Sequence, residues 1–243
     1  QQQVPITEYD TFYQDWLEDA IIGAKDHIWP GRIKYFALSS GTTGAPSKRI
    51  PVTTEMIRSF QRVSLRQFSV LHELNLSDNF YGSKVLAVGG STKLKKVGNH
   101  FEGDLSGILK KHTSLIASPF AKPNKKITHL KDWKAKLPLM VEQAPKWNIG
   151  IMAGIPSWCV LLLEEIVNHY QLKNIHEIWP NFKVYVHGGV YMDPFKERLK
   201  KVCGEPVILL DTYLASEGYF GYQISPKRKG MKLLLNNSIF FEF

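Results

Sequence analysis

The sequence SSGTTGAPSK, from Ser39 to Lys48, decides how the rest of the chain is interpreted, because it lies between a strand-like run and a helix-like run. Gly41 and Gly44 permit backbone conformations that bring amide N–H groups close to an anion, and the hydroxyls and Lys48 add further donors. The N-terminus of the following helix would add partial positive charge. This stretch predicts a phosphate-binding loop, although a Ser/Thr/Gly cluster by itself is also typical of an ordinary polar turn. It lacks the Walker spacing, because Ala-Pro-Ser separates Gly44 from Lys48.

The composition is that of a globular protein. With 243 residues, 44% of them apolar, the chain can bury a substantial core as one large domain or two small ones. No apolar run approaches the roughly 20 residues that a membrane span needs, and residues 1–7 do not resemble a secretory signal. We therefore expect a cytoplasmic protein with no membrane segment. Cys159 and Cys203 are predicted to be free thiols, and the eight histidines lack zinc-site spacing, so we expect no structural metal.

The net charge of +9 favours anionic partners. Basic side chains cluster within residues 93–96, 122–126 and 227–229, and these clusters indicate either a nucleic-acid-binding surface or solvated loops. We favour solvated loops, because the sequence contains no recognisable nucleic-acid module and no stripe of aromatic residues that would stack on bases. We therefore expect no nucleic-acid partner. The sequence does not indicate an oligomeric state.

Strand-like and helix-like patterns alternate along the chain, which predicts an α/β fold. The predicted strands are residues 34–38, 84–88, 114–117, 148–152, 183–186 and 207–210. The predicted helices are residues 9–24, 53–72, 157–170 and 194–202, the last two with Ser157 and Asp193 as N-caps. Residues 238–243 resemble an unfinished strand, so we expect the domain to continue beyond them.

Three corners that are rich in glycine or acidic residues follow predicted strands, at residues 153–157, 187–190 and 211–218. Ligands of open α/β sheets bind at the carboxyl ends of strands, where glycine lets a base or a phosphate approach the backbone. For each corner alone, the alternative is that its glycines only turn the chain. Glu217 would hold Mg²⁺ against ATP phosphates. Tyr213 would cover an adenine ring, although tyrosine is more commonly a buried packing residue.

Four motifs follow one another along nearly the whole chain: SSGTTGAPSKRIP from Ser39, AGIPSW from Ala153, HGG from His187 and YLASEGYFG from Tyr213. In this order and spacing they resemble the motifs of the auxin-responsive acyl-acid amido synthetases, a branch of the adenylate-forming enzyme superfamily. The resemblance implies that residues 1–243 are a partial N-terminal adenylation domain, with mixed sheets flanked by helices and without the C-terminal domain.

Members of that family use ATP and magnesium to convert a carboxylic acid into an acyl-adenylate, and then transfer the acyl group to an amino acid to form an amide. The resemblance therefore implies ATP and Mg²⁺ as cofactors and a small carboxylic acid and an amino acid as substrates. The residues that it implies for the phosphate loop are Ser39, Ser40, Gly41, Thr42, Thr43, Gly44 and Lys48.

The resemblance also implies roles for residues outside the loop. Gly188 and Gly189 would border the adenine with Tyr213 near it, Ser216 would meet the α-phosphate, and Glu217 would bind magnesium. The candidate catalytic residues are Lys48, Ser216 and Glu217. The candidates for binding the acid are Arg66 and Ile155, and for Arg66 an ordinary surface position is an equal alternative.

Two departures from the family pattern leave other functions open. Ala215 stands where relatives have a second serine, and the later Tyr-Arg-x-Gly-Asp motif, which supplies a ribose-binding aspartate, is not found. One alternative is an acid:coenzyme A ligase of the same superfamily, which would pass the acyl group to a thiol. Another is a nucleotide-binding module without turnover.

Overall fold

The structure, a computed structural model, describes residues 6–39, 47–113 and 118–241. They form two β-sheets flanked by helices, in agreement with the predicted α/β fold. The strands in chain order are β1 (Tyr35–Leu38), β2 (Arg49–Val52), β3 (Lys84–Val88), β4 (Lys95–Val97), β5 (His100–Gly103), β6 (Ala121–Lys122), β7 (Ile149–Gly154), β8 (Val184–Gly188), β9 (Ile208–Ala215), β10 (Gly218–Tyr222) and β11 (Lys232–Leu233).

The smaller sheet has four strands in the order β2-β1-β5-β4, and the larger has seven in the order β11-β10-β9-β8-β7-β3-β6. From β6 to β9 the larger sheet is parallel, and β10 and β11 extend it as antiparallel strands. Five of the six predicted strands are confirmed, and the one at residues 207–210 is longer than predicted because it continues to Ala215. The sixth prediction, residues 114–117, lies outside the described residues.

Helices cover both faces of the larger sheet, and all four predicted helices are confirmed. The α-helices are α1 (Tyr9–Phe12), α2 (Glu18–Ile22), α3 (Thr54–Ser69), α4 (Asp78–Tyr81), α5 (Leu105–Lys111), α6 (Lys125–Thr128), α7 (Trp133–Gln143), α8 (Pro156–His169) and α9 (Asp193–Val202). One π-helical turn, Tyr13–Leu17, joins α1 to α2, and a 3₁₀ turn, Val70–Leu74, continues α3. None of the described helices is long and apolar enough to cross a membrane.

The larger sheet separates two hydrophobic cores, because successive side chains of a strand point to opposite faces. On β8, Tyr185 packs into the core that contains residues of α7, α8 and α9. Its neighbour Val184 packs on the other face, with Phe60 and Val63 of α3. The parallel strands are therefore buried on both sides, which explains why they are almost continuously apolar in sequence.

Both predicted N-caps are wrong by one or two residues. Ile155 is the N-cap of α8 and Met192 is the N-cap of α9, so Ser157 and Asp193 lie inside the first turns. The cause is the proline in each first turn, which fixes a helical φ and needs no hydrogen bond to its missing N–H. The Asp193 carboxylate instead pairs with Lys196.

The N-terminus of α3 does not face the phosphate loop, contrary to the prediction. The loop joins β1 to β2, and β2 runs back antiparallel to β1, with Arg49 opposite Leu38 and Val52 opposite Tyr35. Thr53, the N-cap of α3, therefore lies at the far end of the hairpin, about 16 Å of strand from Lys48 at the base of the loop. The partial charge of a helix terminus acts within about one turn, so α3 does not supply it to this loop.

Candidate functional site

The three predicted corners lie side by side at the carboxyl edge of the larger sheet. They follow β7, β8 and β9, which are adjacent parallel strands with Gly188 paired opposite Thr212. Neighbouring strands are about 4.8 Å apart, so the three strand ends span about 10 Å. Ile155 reaches across to the second corner, because its Cγ1 lies 3.5 Å from the position that a Cβ on Gly189 would occupy. The structure therefore joins the three corners into one surface.

The two glycines of the middle corner are needed for different reasons. A Cβ on Gly188 would lie 2.4 Å from the carbonyl oxygen of Thr212 and 2.5 Å from its Oγ1. Thr212 Oγ1 donates a hydrogen bond to the carbonyl oxygen of His187 at 2.8 Å, so β8 and β9 are tightly joined here. Gly189 instead has a φ of +81°, which favours glycine. The predicted adenine contact of both glycines stays a prediction.

Ser216 and Glu217 form the turn of the hairpin between β9 and β10. The last residue of β9 that pairs with β8 is Thr212, so residues 213–215 carry the hairpin about 10 Å beyond the end of β8. Ser216 is half-buried, and the Glu217 side chain is exposed. The hairpin therefore presents the predicted phosphate and magnesium ligands beside the three strand ends.

Tyr213 lies on the same hairpin and is not a buried packing residue. Its side chain is 54% exposed, and its ring centroid is 4.9 Å from that of Phe220 on β10. One face of the ring is thus supported by Phe220 while much of the side chain remains accessible. This arrangement suits a ring that stacks on a planar ligand.

Only the base of the predicted phosphate loop lies within the described residues. The backbone N–H of Ser39 donates to the carbonyl oxygen of Lys48 at 3.0 Å, and the backbone N–H of Lys48 donates to Ser39 Oγ at 3.1 Å. Residues 40–46 lie outside the described ranges, and they include the predicted phosphate-binding residues Ser40, Gly41, Thr42, Thr43 and Gly44. The base is therefore closed as a hairpin that brings Ser39 and Lys48 together.

Tyr9 of α1 holds the Lys48 side of this base. The Tyr9 hydroxyl accepts a hydrogen bond from the backbone N–H of Arg49 at 2.8 Å and donates one to the carbonyl oxygen of Arg49 at 3.2 Å. Lys48 Nζ lies 4.8 Å from the centroid of the Tyr9 ring, within the range of a cation–π contact. The N-terminal helix therefore fixes the position at which the chain leaves the loop.

We expect Tyr9→Phe to lower the free energy of unfolding by about 1 kcal/mol, because it removes two hydrogen bonds but keeps the ring beside Lys48. Tyr9→Leu should cost about 1 kcal/mol more, since the cation–π contact is also lost. Amide hydrogen exchange at Arg49 should become faster in both variants. Tyr13→Phe is the matched control, and unchanged exchange at Arg49 in Tyr9→Phe would contradict this role of the hydroxyl.

Arg66 lies on the exposed side of α3, so the structure gives no support to its predicted contact with the acid. α3 buries two polar side chains, Ser59 and Gln67, and Gln67 is the neighbour of Arg66. Gln67 Oε1 accepts a hydrogen bond from the Tyr219 hydroxyl at 2.8 Å. Gln67 Nε2 is buried without a partner among the described residues. Sequence reasoning missed Gln67, although its spacing with Phe60 and Val63 is that of one helix face.

His187 and Asp211 form a second pair that sequence reasoning missed. His187 Nδ1 lies 3.5 Å from Asp211 Oδ1 and has no hydrogen-bond partner among the described residues. Burial lowers the pKa of His187, Asp211 opposes that effect, and the charge of Lys196 adds to it. A neutral imidazole is therefore favoured at this corner. Only the register of β8 against β9 brings the two residues together.

The model of the GH3 family N-terminal domain matches residues 1–141 and 95–208 of this chain. The chain belongs to the GH3 family. This confirms the family resemblance of the four motifs. A comparison with curated protein sequences gives no match.

Solved structures support the same fold for this GH3 chain. It is similar to the GH3.15 acyl acid amido synthetase, with a TM-score of 0.70 and 16% identity over 93% of this chain and 48% of that one. The AtGH3.15 acyl acid amido synthetase in complex with 2,4-DB gives a TM-score of 0.69 and 18% identity, over 94% of this chain and 49% of that one. An open conformation of 2-hydroxyisobutyryl-CoA ligase, in complex with 2-HIB-AMP and CoA, is also similar, with a TM-score of 0.58 and 12% identity. This match covers 94% of this chain and 47% of that one.

These similarities confirm the predicted fold, which is that of a GH3 family N-terminal domain with mixed sheets flanked by helices. The GH3 chain spans about half the length of the structures it matches. At such identities the likeness shows the fold, and the roles of individual residues stay predictions.

The magnesium expected for this GH3 protein fits one residue of the site. Glu217 offers an exposed carboxylate at the hairpin turn, and carboxylate oxygen is a preferred ligand of Mg²⁺. Within the described residues, no group of three or more His, Cys, Asp or Glu side chains could hold a metal ion. A single carboxylate suits Mg²⁺ that is shared with nucleotide phosphates and keeps several waters, and does not suit a cage made of protein alone.

Proposed function

We propose that this GH3 protein uses ATP and Mg²⁺ to activate a small carboxylic acid as an acyl-adenylate, and passes the acyl group to an amino acid to form an amide. The observation that carries the proposal is the position of Ser216 and Glu217, at a turn that β9 carries beyond the ends of its neighbours β7 and β8. A hydroxyl and a carboxylate are thereby combined with a glycine-lined edge of the kind that binds nucleotides. Family membership supports the reaction class, since GH3.15 is described as an acyl acid amido synthetase.

The nucleotide would lie across the strand ends. We infer that the adenine packs between the backbone of Gly188–Gly189 and the exposed ring of Tyr213, which Phe220 supports from behind. Ile155 contacts the Gly189 corner and would line the adjoining wall towards the acid. Lys48 and Ser39 at the base of the phosphate loop would bind the outer phosphates.

Catalysis of adenylation depends mainly on positioning the reactants and stabilising charge, and it needs little covalent catalysis by the protein. A carboxylate oxygen of the acid attacks the α-phosphorus of ATP, the bond from that phosphorus to the bridging oxygen breaks, and pyrophosphate leaves. Negative charge grows on the phosphate oxygens during this step. The Ser216 hydroxyl would donate a hydrogen bond to the α-phosphate, and Glu217 would hold Mg²⁺, which neutralises phosphate charge when bound.

A screen of small carboxylic acids by ATP–pyrophosphate exchange tests the proposal, using the longest available gene product. We expect exchange that requires both ATP and the acid, with a few acids well above the rest. Absence of exchange with every acid, in a protein that still binds ATP, would favour a nucleotide-binding module without turnover.

An acid:coenzyme A ligase is the second candidate, and the fold similarity to 2-hydroxyisobutyryl-CoA ligase favours it. It shares the adenylation step and differs in the acceptor. The acid that gives the fastest exchange should therefore be offered with each amino acid and, separately, with coenzyme A. An amide product supports the first proposal, and a thioester product supports the second.

A further inference from the structure

The positive charge of this protein is concentrated in one segment. Residues 84–146 contain 13 lysines, no arginine and four carboxylates, which gives them a net charge of +9. The other 180 residues contain 18 basic and 18 acidic side chains and are therefore neutral overall. The excess charge is therefore local to this segment, and a concave surface lined by one sign of charge raises the local concentration of counter-ions.

The fold gathers two of the basic runs of this segment around one groove. The groove has a volume of about 640 Å³, and the residues that line it are Lys93, Lys125, Lys126, His129, Leu130 and Lys131. Lys93 belongs to the loop after β3, and the other five belong to α6 or follow it. Residues about 30 positions apart in sequence therefore share a single cationic surface.

Hydrogen bonds fix the two walls of the groove to each other. The backbone N–H of Thr92 donates to the carbonyl oxygen of Thr128 at 2.9 Å. Ser91 Oγ donates to the carbonyl oxygen of His129 at 3.0 Å, and Thr92 Oγ1 lies 3.3 Å from His129 Nδ1. The lysines consequently extend from a preformed framework and not from two independent loops.

The lysines of the groove form no ion pair with any carboxylate that the structure describes. In residues 6–39, 47–113 and 118–241, neither Lys93, Lys125, Lys126 nor Lys131 lies within 4.0 Å of an acidic oxygen. Elsewhere on the surface, Lys183 pairs with Glu205 and Lys196 pairs with Asp193. Within the described part of the chain, no ion pair neutralises the charge of the groove, which is therefore available to an external anion.

Three further lysines of the same segment form a second row, in which Lys110 Nζ donates to the carbonyl oxygen of Lys122 at 3.4 Å. Burial, together with the charge of Lys136, lowers the pKa of Lys110 to about 8. Burial and the charge of Lys84 lower the pKa of Lys122. Burial also lowers the pKa of Lys136, and Asp104 opposes this. Lys136 Nζ donates to the carbonyl oxygen of Gly89 at 3.0 Å, so this row adjoins the end of β3.

We propose that this groove is a second anion site, which binds a compact molecule that carries several phosphate groups. Its volume lies in the range of small-molecule sites, about 300–1,000 Å³. It is lined by lysines and has no aromatic ring other than His129, so it offers charge without a platform for stacking bases. These features favour a small polyphosphate over a nucleic acid.

The residues that line the groove are not those of the proposed nucleotide site, although β3 pairs with β7, which carries the first nucleotide corner. The groove begins where β3 and β6 end, whereas the nucleotide corners follow β7, β8 and β9 in the same sheet. The phosphates can belong to a free inorganic polyphosphate or to the phosphorylated part of a larger molecule such as coenzyme A. Both sources present the same chemistry, so the experiment includes both.

The test compares two variants with the same loss of charge. In the groove variant, Lys125, Lys126 and Lys131 are replaced by glutamine; in the control, Lys173, Lys200 and Lys201, which are exposed elsewhere, are replaced by glutamine. Calorimetry with inorganic tripolyphosphate should show at least about tenfold weaker binding for the groove variant and a change within twofold for the control. Added salt should weaken binding less steeply in the groove variant than in the parent and the control, because fewer charges are left to screen. Equal losses in both variants, or none in either, would overturn the proposal.

Three further arms identify the source and separate this proposal from the proposed function. If the groove variant also loses coenzyme A binding, the phosphates belong to that larger molecule. If the groove variant still binds coenzyme A, the phosphates belong to free polyphosphate. The second arm measures binding of a DNA duplex. If the parent protein binds the duplex more tightly than it binds tripolyphosphate, and the groove variant no longer binds the duplex, the small-ligand proposal is overturned. Lys48→Ala alters the proposed nucleotide site and not the groove. This variant should still bind tripolyphosphate at the groove, even if it no longer catalyses pyrophosphate exchange.

Discussion

Glu217→Ala should lower the rate of acid-dependent ATP–pyrophosphate exchange by about 100- to 1,000-fold, which corresponds to about 3–4 kcal/mol of transition-state stabilisation. The reason is that this carboxylate is the one acidic group of the hairpin turn beyond the strand ends, where it would hold Mg²⁺ against the phosphates. The fold should remain intact, because the Glu217 side chain is exposed and has no hydrogen-bond or ion-pair partner among the described residues. The measurement is exchange with the best acid at saturating ATP, beside a thermal unfolding curve.

Two variants make this result specific. Glu197→Ala removes an equally exposed carboxylate from α9, away from the turn, and should leave exchange unchanged. Glu217→Gln keeps the size of the side chain but removes its charge, and should behave like Glu217→Ala if charge is what matters. Exchange at the parental rate in a folded Glu217→Ala protein would eliminate the proposed metal role.

The sequence was sufficient to predict the parallel core of the fold, because burial on both faces leaves a strong apolar signal. The strands Ile149–Gly154 and Val184–Gly188 consist mostly of apolar residues and are bounded by turn residues. Helices α3 and α9 each repeat an apolar face at helical spacing. Where local pattern and tertiary burial agree in this way, the chain itself determines the element.

The sequence failed where a short element is held by its neighbours. The strand β2, Arg49–Val52, contains Pro51, and a proline argues against a strand in the middle of a sheet. β2 lies at the edge of the smaller sheet, where a missing N–H is tolerated. Overlooking it led to the incorrect prediction that α3 starts at the phosphate loop.

The site was predictable in its motifs but not in its pairings. Glu217 and Gly188 could be selected because each follows an apolar strand in a recognisable motif. The pair of His187 and Asp211, by contrast, exists only because β8 and β9 align in one register. A shift of that register by one residue would turn the two side chains to opposite faces, and no local pattern in the sequence reports it.

Gly188→Ala should lower the free energy of unfolding by about 3 kcal/mol, or the midpoint of thermal unfolding by about 6–12 °C. The added methyl would lie 2.4 Å from the carbonyl oxygen of Thr212, and backbone cannot rotate out of the way as a side chain can. Relief of the clash requires β8 and β9 to separate, which also strains the hydrogen bond from Thr212 Oγ1 to His187. ATP affinity should fall as well, since the same corner borders the proposed nucleotide site.

The neighbouring glycine provides the matched control. A Cβ on Gly189 would lie 3.5 Å from Ile155, which is an ordinary contact. Gly189→Ala should therefore cost only about 1 kcal/mol, because alanine disfavours the φ of +81° at this position. Adding Thr212→Ala to Gly188→Ala removes the contact with Oγ1 but leaves the carbonyl oxygen in place, so it should not restore stability. If the double variant regained parental stability, the clash would be with the Thr212 side chain. The explanation by close approach of the two strand backbones would then be wrong.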